Sequence, residues 1–164
     1  MRRLLLLVCV FSFSVTTEAR ELFGRMGLGY NAQFAQTSTT NPGVPGISLK
    51  YGFNPRTMIE IIGGYRSGST NSGVGALKLL QTMHSENYIN FYFMIGAGLV
   101  SFASRSGTEL ITGFGSEFFI PGLESLGISF EAGLDYENLS SSTKSFILRT
   151  FGASFINAGM HFYF

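Results

Sequence analysis

The stretch Ile89-Asn90-Phe91-Tyr92-Phe93-Met94-Ile95-Gly96-Ala97-Gly98-Leu99 puts an apolar side chain on every odd position, opposite Asn90, Tyr92, Met94, Gly96 and Gly98. A period of two sends successive side chains to opposite faces of a β-strand. The pattern continues in both directions. Toward the N-terminus, Leu22, Gly24, Met26, Leu28, Tyr30, Ala32 and Phe34 oppose Phe23, Arg25, Gly27, Gly29, Asn31 and Gln33. Ile47, Leu49, Tyr51 and Phe53 oppose Ser48, Lys50 and Gly52, and Ile59, Ile61, Gly63 and Tyr65 oppose Glu60, Ile62, Gly64 and Arg66. A weaker run over Gly73–Met83 separates Leu77 and Leu79 from Ala76, Lys78 and Leu80. Toward the C-terminus, Leu110, Thr112, Phe114, Ser116, Phe118 and Ile120 oppose Glu109, Ile111, Gly113, Gly115 and Glu117. Ile128, Phe130, Ala132, Leu134 and Tyr136 oppose Ser129, Glu131, Gly133, Asp135 and Glu137. The last run sets Ile156, Ala158, Met160, Phe162 and Phe164 against Phe155, Asn157, Gly159, His161 and Tyr163.

These runs make eight strands of roughly nine to thirteen residues, the length that crosses a bilayer at a tilt of about 45°. Asn54–Arg56, His84–Asn87 and Pro121–Leu126 form one set of connections. Gln36–Pro45, Ser67–Ser72, Ser101–Thr108 and Asn138–Lys144, polar and rich in Gly and Ser, form the other. Short turns at one end and polar loops at the other are the layout of an outer-membrane barrel. The second face separates this from a secreted sandwich, whose outer face would be rich in Lys, Glu and Thr. Here that face is dominated by glycine with isolated charges, which suits the crowded inside of a narrow barrel. On the apolar face, Phe53, Phe118, Phe162 and Phe164 fall toward one rim, and Phe34, Tyr65 and Tyr136 toward the other, as two interfacial girdles. The expected fold is all-β: an eight-stranded antiparallel up-and-down transmembrane β-barrel.

Composition agrees with that class. Hydrophobic residues are 45% and charged residues 13% of the chain, against about 25% charged in an ordinary soluble domain. The net charge of +1 without clusters of Lys or Arg argues against nucleic-acid binding. A single cysteine, Cys9, excludes a disulfide or zinc framework. Arg2-Arg3, the apolar stretch Leu4–Val15 and the small residues Thr17 and Ala19 read as a secretory signal peptide over residues 1–19. Residues 20–164 are then the barrel domain. With Arg2, Arg3 and Glu18 gone from 11 Lys+Arg and 10 Asp+Glu, the exported chain is neutral.

The chain closes on Met160-His161-Phe162-Tyr163-Phe164, with apolar residues at alternate positions back to Ile156. This resembles the C-terminal signal of Gram-negative outer-membrane proteins. The whole of residues 20–164 resembles the eight-stranded barrels of the outer-membrane protein A and X type. The resemblance implies an outer-membrane location, with membrane lipid and lipopolysaccharide around the barrel. It also implies recognition of Ile156, Ala158, Met160, Phe162 and Phe164 by the barrel-assembly machinery, after escort by periplasmic chaperones. Nothing follows the barrel, so no peptidoglycan-binding domain is expected.

On the polar face, Arg25, Lys50, Glu60, Glu117, Glu131 and His161 lie within about three or four residues of the short-turn rim, with Lys78 somewhat higher and Arg66 level with Asp135 farther up. Isolated burial of a charge costs several kcal/mol, so cations and carboxylates in such balance are expected to pair. The expectation is a structural plug; a proton-linked switch at His161 is the sharper alternative. A lipid A acyl-chain enzyme would need a serine, a histidine and an acid gathered on the outer side. The two histidines, His84 and His161, both fall toward the inner rim, so no catalytic residue is assigned. No metal or cofactor site is expected. The functional expectation is a monomeric barrel with a structural, envelope-integrity or surface-interaction role, its loops as contact surfaces. The alternatives are a narrow small-solute channel and, after it, a lipid A-modifying enzyme.

Overall fold

The computed structural model describes residues 21–33, 44, 46–68, 71–102, 105–140, 145–151 and 157–164. Its strands are β1 (Met26–Asn31), β2 (Gly46–Asn54), β3 (Thr57–Arg66), β4 (Ser72–Glu86), β5 (Ile89–Phe102), β6 (Arg105–Ile120), β7 (Leu123–Ser140), β8 (Ser145–Phe151) and β9 (Asn157–Tyr163). Each pairs antiparallel with its neighbour in sequence from β1 to β7. β8 lies along Gly133–Leu139 of β7 and β9 along Leu126–Glu131 of the same edge, so the two share one position around the sheet. β9 also pairs with β1, from Gly27↔Tyr163 to Asn31↔Gly159, and the ring is closed. The result is an eight-stranded antiparallel barrel.

Three two-residue turns gather at one end: Pro55-Arg56, Asn87-Tyr88 and Pro121-Gly122. The Asn54 side chain accepts the Arg56 amide at 2.9 Å, a local bond that competes with strand extension and so starts the reversal. Gly122 closes the third turn at φ 85°, a left-handed conformation that side chains resist.

Parity decides what faces where. Leu28, Ile47, Ile61, Leu77, Leu99, Leu110, Phe114, Phe130 and Met160 are all exposed on the outside. Phe53, Phe118, Phe162 and Phe164 are exposed toward the short-turn end, and Tyr65 and Tyr136 toward the opposite, loop end; Phe34 lies outside the described residues. The core is the inside of the barrel. One apolar cluster, including Leu22, Met58, Leu80, Met94 and Phe119, fills the short-turn end. A second, including Val44, Ile62, Val74, Val100 and Phe102, fills the loop end.

Four expectations change in detail. The first strand is shorter than Leu22–Phe34, and its alternation does not extend to Leu22, which is buried while Phe23 is 55% exposed. The cause is Gly24, at φ 72°, where the chain turns and Gly24 donates to the Gly52 carbonyl. β4 runs on through His84 to Glu86, so the turn holds only Asn87 and Tyr88. β5 and β6 extend to Phe102 and Arg105, into the segment expected as a loop, and β7 reaches Ser140. Finally, Ser145–Phe151 is a strand that alternation did not mark.

Candidate functional site

Between the two apolar clusters the barrel is filled by a polar layer. Its frame follows from register: Lys50 faces Glu60 across β2 and β3, and Glu60 faces Lys78 across β3 and β4. Three successive strands therefore alternate in sign. Lys78 Nζ is 2.8 Å from Glu60 Oε2 and 2.8 Å from Glu131 Oε2, which arrives from β7 on the far wall. Lys50 Nζ is 3.1 Å from Glu117 Oε1 on β6 and stands 5.8 Å above the Tyr92 ring. Lys50, Glu60, Lys78 and His161 are each 0% exposed, and Glu117 and Glu131 1%.

Neutral groups complete the layer. Tyr92 donates to Glu131 at 3.0 Å and Tyr163 to Glu117 at 2.8 Å. Asn31 donates to Glu60 at 2.9 Å, and Asn157 donates to both Glu131 and Asn31, at 2.9 and 3.0 Å. Charges taken from water are tolerated only when their remaining lone pairs and protons are met in this way. Glycine makes the room. A Cβ at Gly27 would fall 2.6 Å from Tyr163, at Gly115 2.5 Å from Tyr92, and at Gly96 2.7 Å from the Lys78 stem.

Of the residues singled out from sequence, the structure brings Lys50, Glu60, Lys78, Glu117, Glu131 and His161 into this one layer. Arg25 sits half-buried at its edge and donates to the Tyr163 carbonyl at 3.2 Å, a backbone partner. Asp135 is buried nearer the loop end together with Glu109 and Glu137, while Arg66 is exposed at the end of β3. Ala158, Met160, Phe162 and Phe164 are exposed on the outer face, and Ile156 lies outside the described residues. Sequence reasoning did not single out Ser48, Asn31, Tyr92, Asn157, Tyr163, Glu109 or Glu137. Their shared parity with the charged residues was the available signal.

The polar layer contains a serine, a histidine and acids, so its polarity matters. His161 Nε2 is 2.8 Å from Ser48 Oγ, and His161 Nδ1 is 3.8 Å from Glu117. Ser48 gives its proton to Glu60, 2.5 Å away, so its oxygen accepts from His161. A base must instead accept the proton of its nucleophile. Ser48, Glu60, Glu117 and His161 are all buried within the barrel. At the short-turn end, His84 and Ser85 sit on opposite faces, His84 exposed beside Glu86 at 3.5 Å and Ser85 buried. Among the described residues no three His, Cys, Asp or Glu side chains are placed to hold a metal ion.

No protein-family model and no curated protein matches the chain. Among solved structures, it is similar to the N-terminal β-barrel domain of Pseudomonas aeruginosa OprF, with a TM-score of 0.54 and 13% identity over 85% of this chain and 96% of that one. The Yersinia pestis outer membrane protein Ail, whose backbone structure was obtained in a phospholipid bilayer nanodisc, aligns with a TM-score of 0.43 and 18% identity over 85% and 97%. The chain thus has the closed eight-stranded barrel fold of the OprF N-terminal domain, the architecture that its resemblance to barrels of the outer-membrane protein A and X type implies.

Proposed function

We propose that this protein is a monomeric outer-membrane barrel with a closed interior, serving envelope integrity and surface contact rather than transport or catalysis. The observation that carries this reading is the filling of the barrel. The Lys50–Glu117 and Glu60–Lys78–Glu131 pairs span the interior, and an apolar cluster stands on either side of them. An eight-stranded barrel encloses space for side chains and little else. The apolar outer face supports placement in hydrocarbon, where a closed barrel leaves no backbone edge unsatisfied.

Residues 1–19 act in this reading as the cleaved export signal. Ala158, Met160, Phe162 and Phe164, with Ile156, are the segment that the assembly machinery recognises after chaperones deliver the chain. Planar-bilayer recording of the purified barrel tests the closed interior: no steady conductance is expected, and a reproducible open level would favour the small-solute channel. Deleting the gene, with envelope permeability and lipid A mass profiles read together, tests the role. Increased permeability with unchanged lipid A is expected, whereas a lost acyl-chain modification would favour the enzyme.

A further inference from the structure

The chain reverses just ahead of β1. The Arg25 amide donates to the Leu22 carbonyl at 3.1 Å, so Leu22-Phe23-Gly24-Arg25 is a β-turn. Gly24, at φ 72°, holds the third position, where a type II turn demands a left-handed residue. The turn folds Leu22 back over the inner side of the end of β2. Gly24 donates to the Gly52 carbonyl at 2.9 Å, and Gly52 to the Arg25 carbonyl at 3.2 Å. Gly52 is the seat, because a Cβ there would run into the Leu22 carbonyl oxygen.

This turn stands where the ring closes. Arg25 Nη2 donates to the Tyr163 carbonyl on β9 at 3.2 Å, Gly24 is bonded to β2, and Met26 begins β1. Among the described residues the β1–β9 ladder runs from Gly27↔Tyr163 to Asn31↔Gly159, far shorter than the β5–β6 ladder over Ile89 to Phe102. A short ladder is where a sheet opens first. Leu22 is 4% exposed and shares one apolar cluster with Met58, Leu80, Phe119 and Tyr163, from β3, β4, β6 and β9. The Phe119 and Tyr163 rings stand 5.8 Å apart in that cluster. In an unclosed sheet β1 and β9 are opposite edges. Leu22 therefore joins Phe119 and Tyr163 only after the seam has formed.

We propose that Leu22–Arg25 is a strap that locks the β1–β9 seam from inside, seating after the ring has closed and leaving first when the seam reopens. Arg25 ties the strap to β9 and Gly24 ties it to β2, so it bridges both neighbours of β1. Burial of the Leu22 side chain removes apolar surface from water and holds the strap down. An interaction that forms after the folding barrier slows unfolding and leaves the folding rate alone.

The test is amide hydrogen exchange of the purified barrel in dodecylphosphocholine micelles, followed residue by residue by NMR. The amides of Met26, Ala32 and Phe164 bridge the seam, and those of the β4–β5 ladder are the reference. Leu22→Ser is expected to speed exchange at the three seam amides by about tenfold, the scale of one buried leucine side chain, with the β4–β5 amides unchanged. Gly52→Ala, which displaces the strap without altering Leu22, is expected to give the same pattern. Leu80→Ala, a cavity in the same cluster but on β4, is expected to raise exchange at the seam no more than at β4 and β5. Leu22→Ser is also expected to keep the heat-modifiable folded band and to refold from urea at the unaltered rate. Seam exchange unmoved by Leu22→Ser or by Gly52→Ala overturns the proposal, as does exchange raised equally in every strand. So does slower refolding of Leu22→Ser, or its failure to fold, because a strap that seats last is not needed to close the ring.

Discussion

Lys78 Nζ lies 2.8 Å from a Glu60 oxygen on the adjacent strand and 2.8 Å from a Glu131 oxygen across the barrel, so one ammonium ties opposite walls together. Removing one member of a buried ion pair strands the other in low dielectric, at about 3–5 kcal/mol. Glu131→Leu is therefore expected to destabilise the barrel by about 3 kcal/mol, the lower end of that range because Glu60 still faces Lys78. Lys50→Met should behave similarly through Glu117. The exposed turn residue Arg56, replaced by Gln, should change little. The temperature at which the folded band disappears on detergent gels checks all three; equal shifts for interior and turn variants would count against the pairing.

Interior glycines are a second test. Gly115 stands against the Tyr92 ring, and that ring's hydroxyl donates to Glu131. Gly115→Val should force the ring aside and cost about 1–3 kcal/mol by overpacking alone. Urea unfolding in detergent micelles would show it as a lowered midpoint. The same measurement on Gly63→Leu, on the open outer face, should show no loss.

Phe164 separates stability from assembly. Its backbone N–H donates to the Met26 carbonyl at 2.9 Å, and its side chain is 64% exposed on the outside. Phe164→Ala keeps the backbone bonds and should shift urea stability by no more than about 0.5 kcal/mol. In cells, however, the fraction reaching the folded, heat-modifiable form should fall several-fold if the assembly machinery reads this side chain. A parallel drop in refolding from urea into micelles would show a merely structural residue.

Gly24 makes a local prediction. Its φ of 72° lies where a Cβ costs about 1–2 kcal/mol. Gly24→Val should lower the unfolding midpoint accordingly. It should also loosen Leu22 from the short-turn cluster, read as increased proteolysis ahead of β1.

The barrel was legible because alternation marks the two faces of each strand by itself; across the two-residue turns parity flips, and the register shifts at Gly52/Asn54, Thr82/His84 and Phe119/Ile120 restore it. Lys50, Glu60 and Lys78 could be placed on one face by counting alone. Partners across the barrel were not legible in the same way. Asn157 and Asn31 meet through the closing register of β1 and β9, and Tyr163 and Glu117 through the registers of β6 with β7 and β7 with β9, which alternation does not specify. Ser145–Phe151 escaped notice because Phe146-Ile147-Leu148 are consecutive apolar residues, so period two is hidden there. The ends of β5 and β6, where Ser101 faces Ser106 and Val100 faces Gly107, are held by backbone pairing rather than by a visible pattern. Leu22 faced inward for a reason no periodicity carries, a single left-handed glycine.

The seam between β1 and β9 joins Gly27 to Tyr163, almost the whole length of the barrel apart in sequence. β1 therefore has a free hydrogen-bonding edge from the time it is made until the last segment arrives. Every earlier intermediate is an open, oily ribbon, the kind of species that associates with copies of itself. Because the entropy of closing so long a loop is lost before the seam's contacts form, the final zippering is the step expected to be slowest.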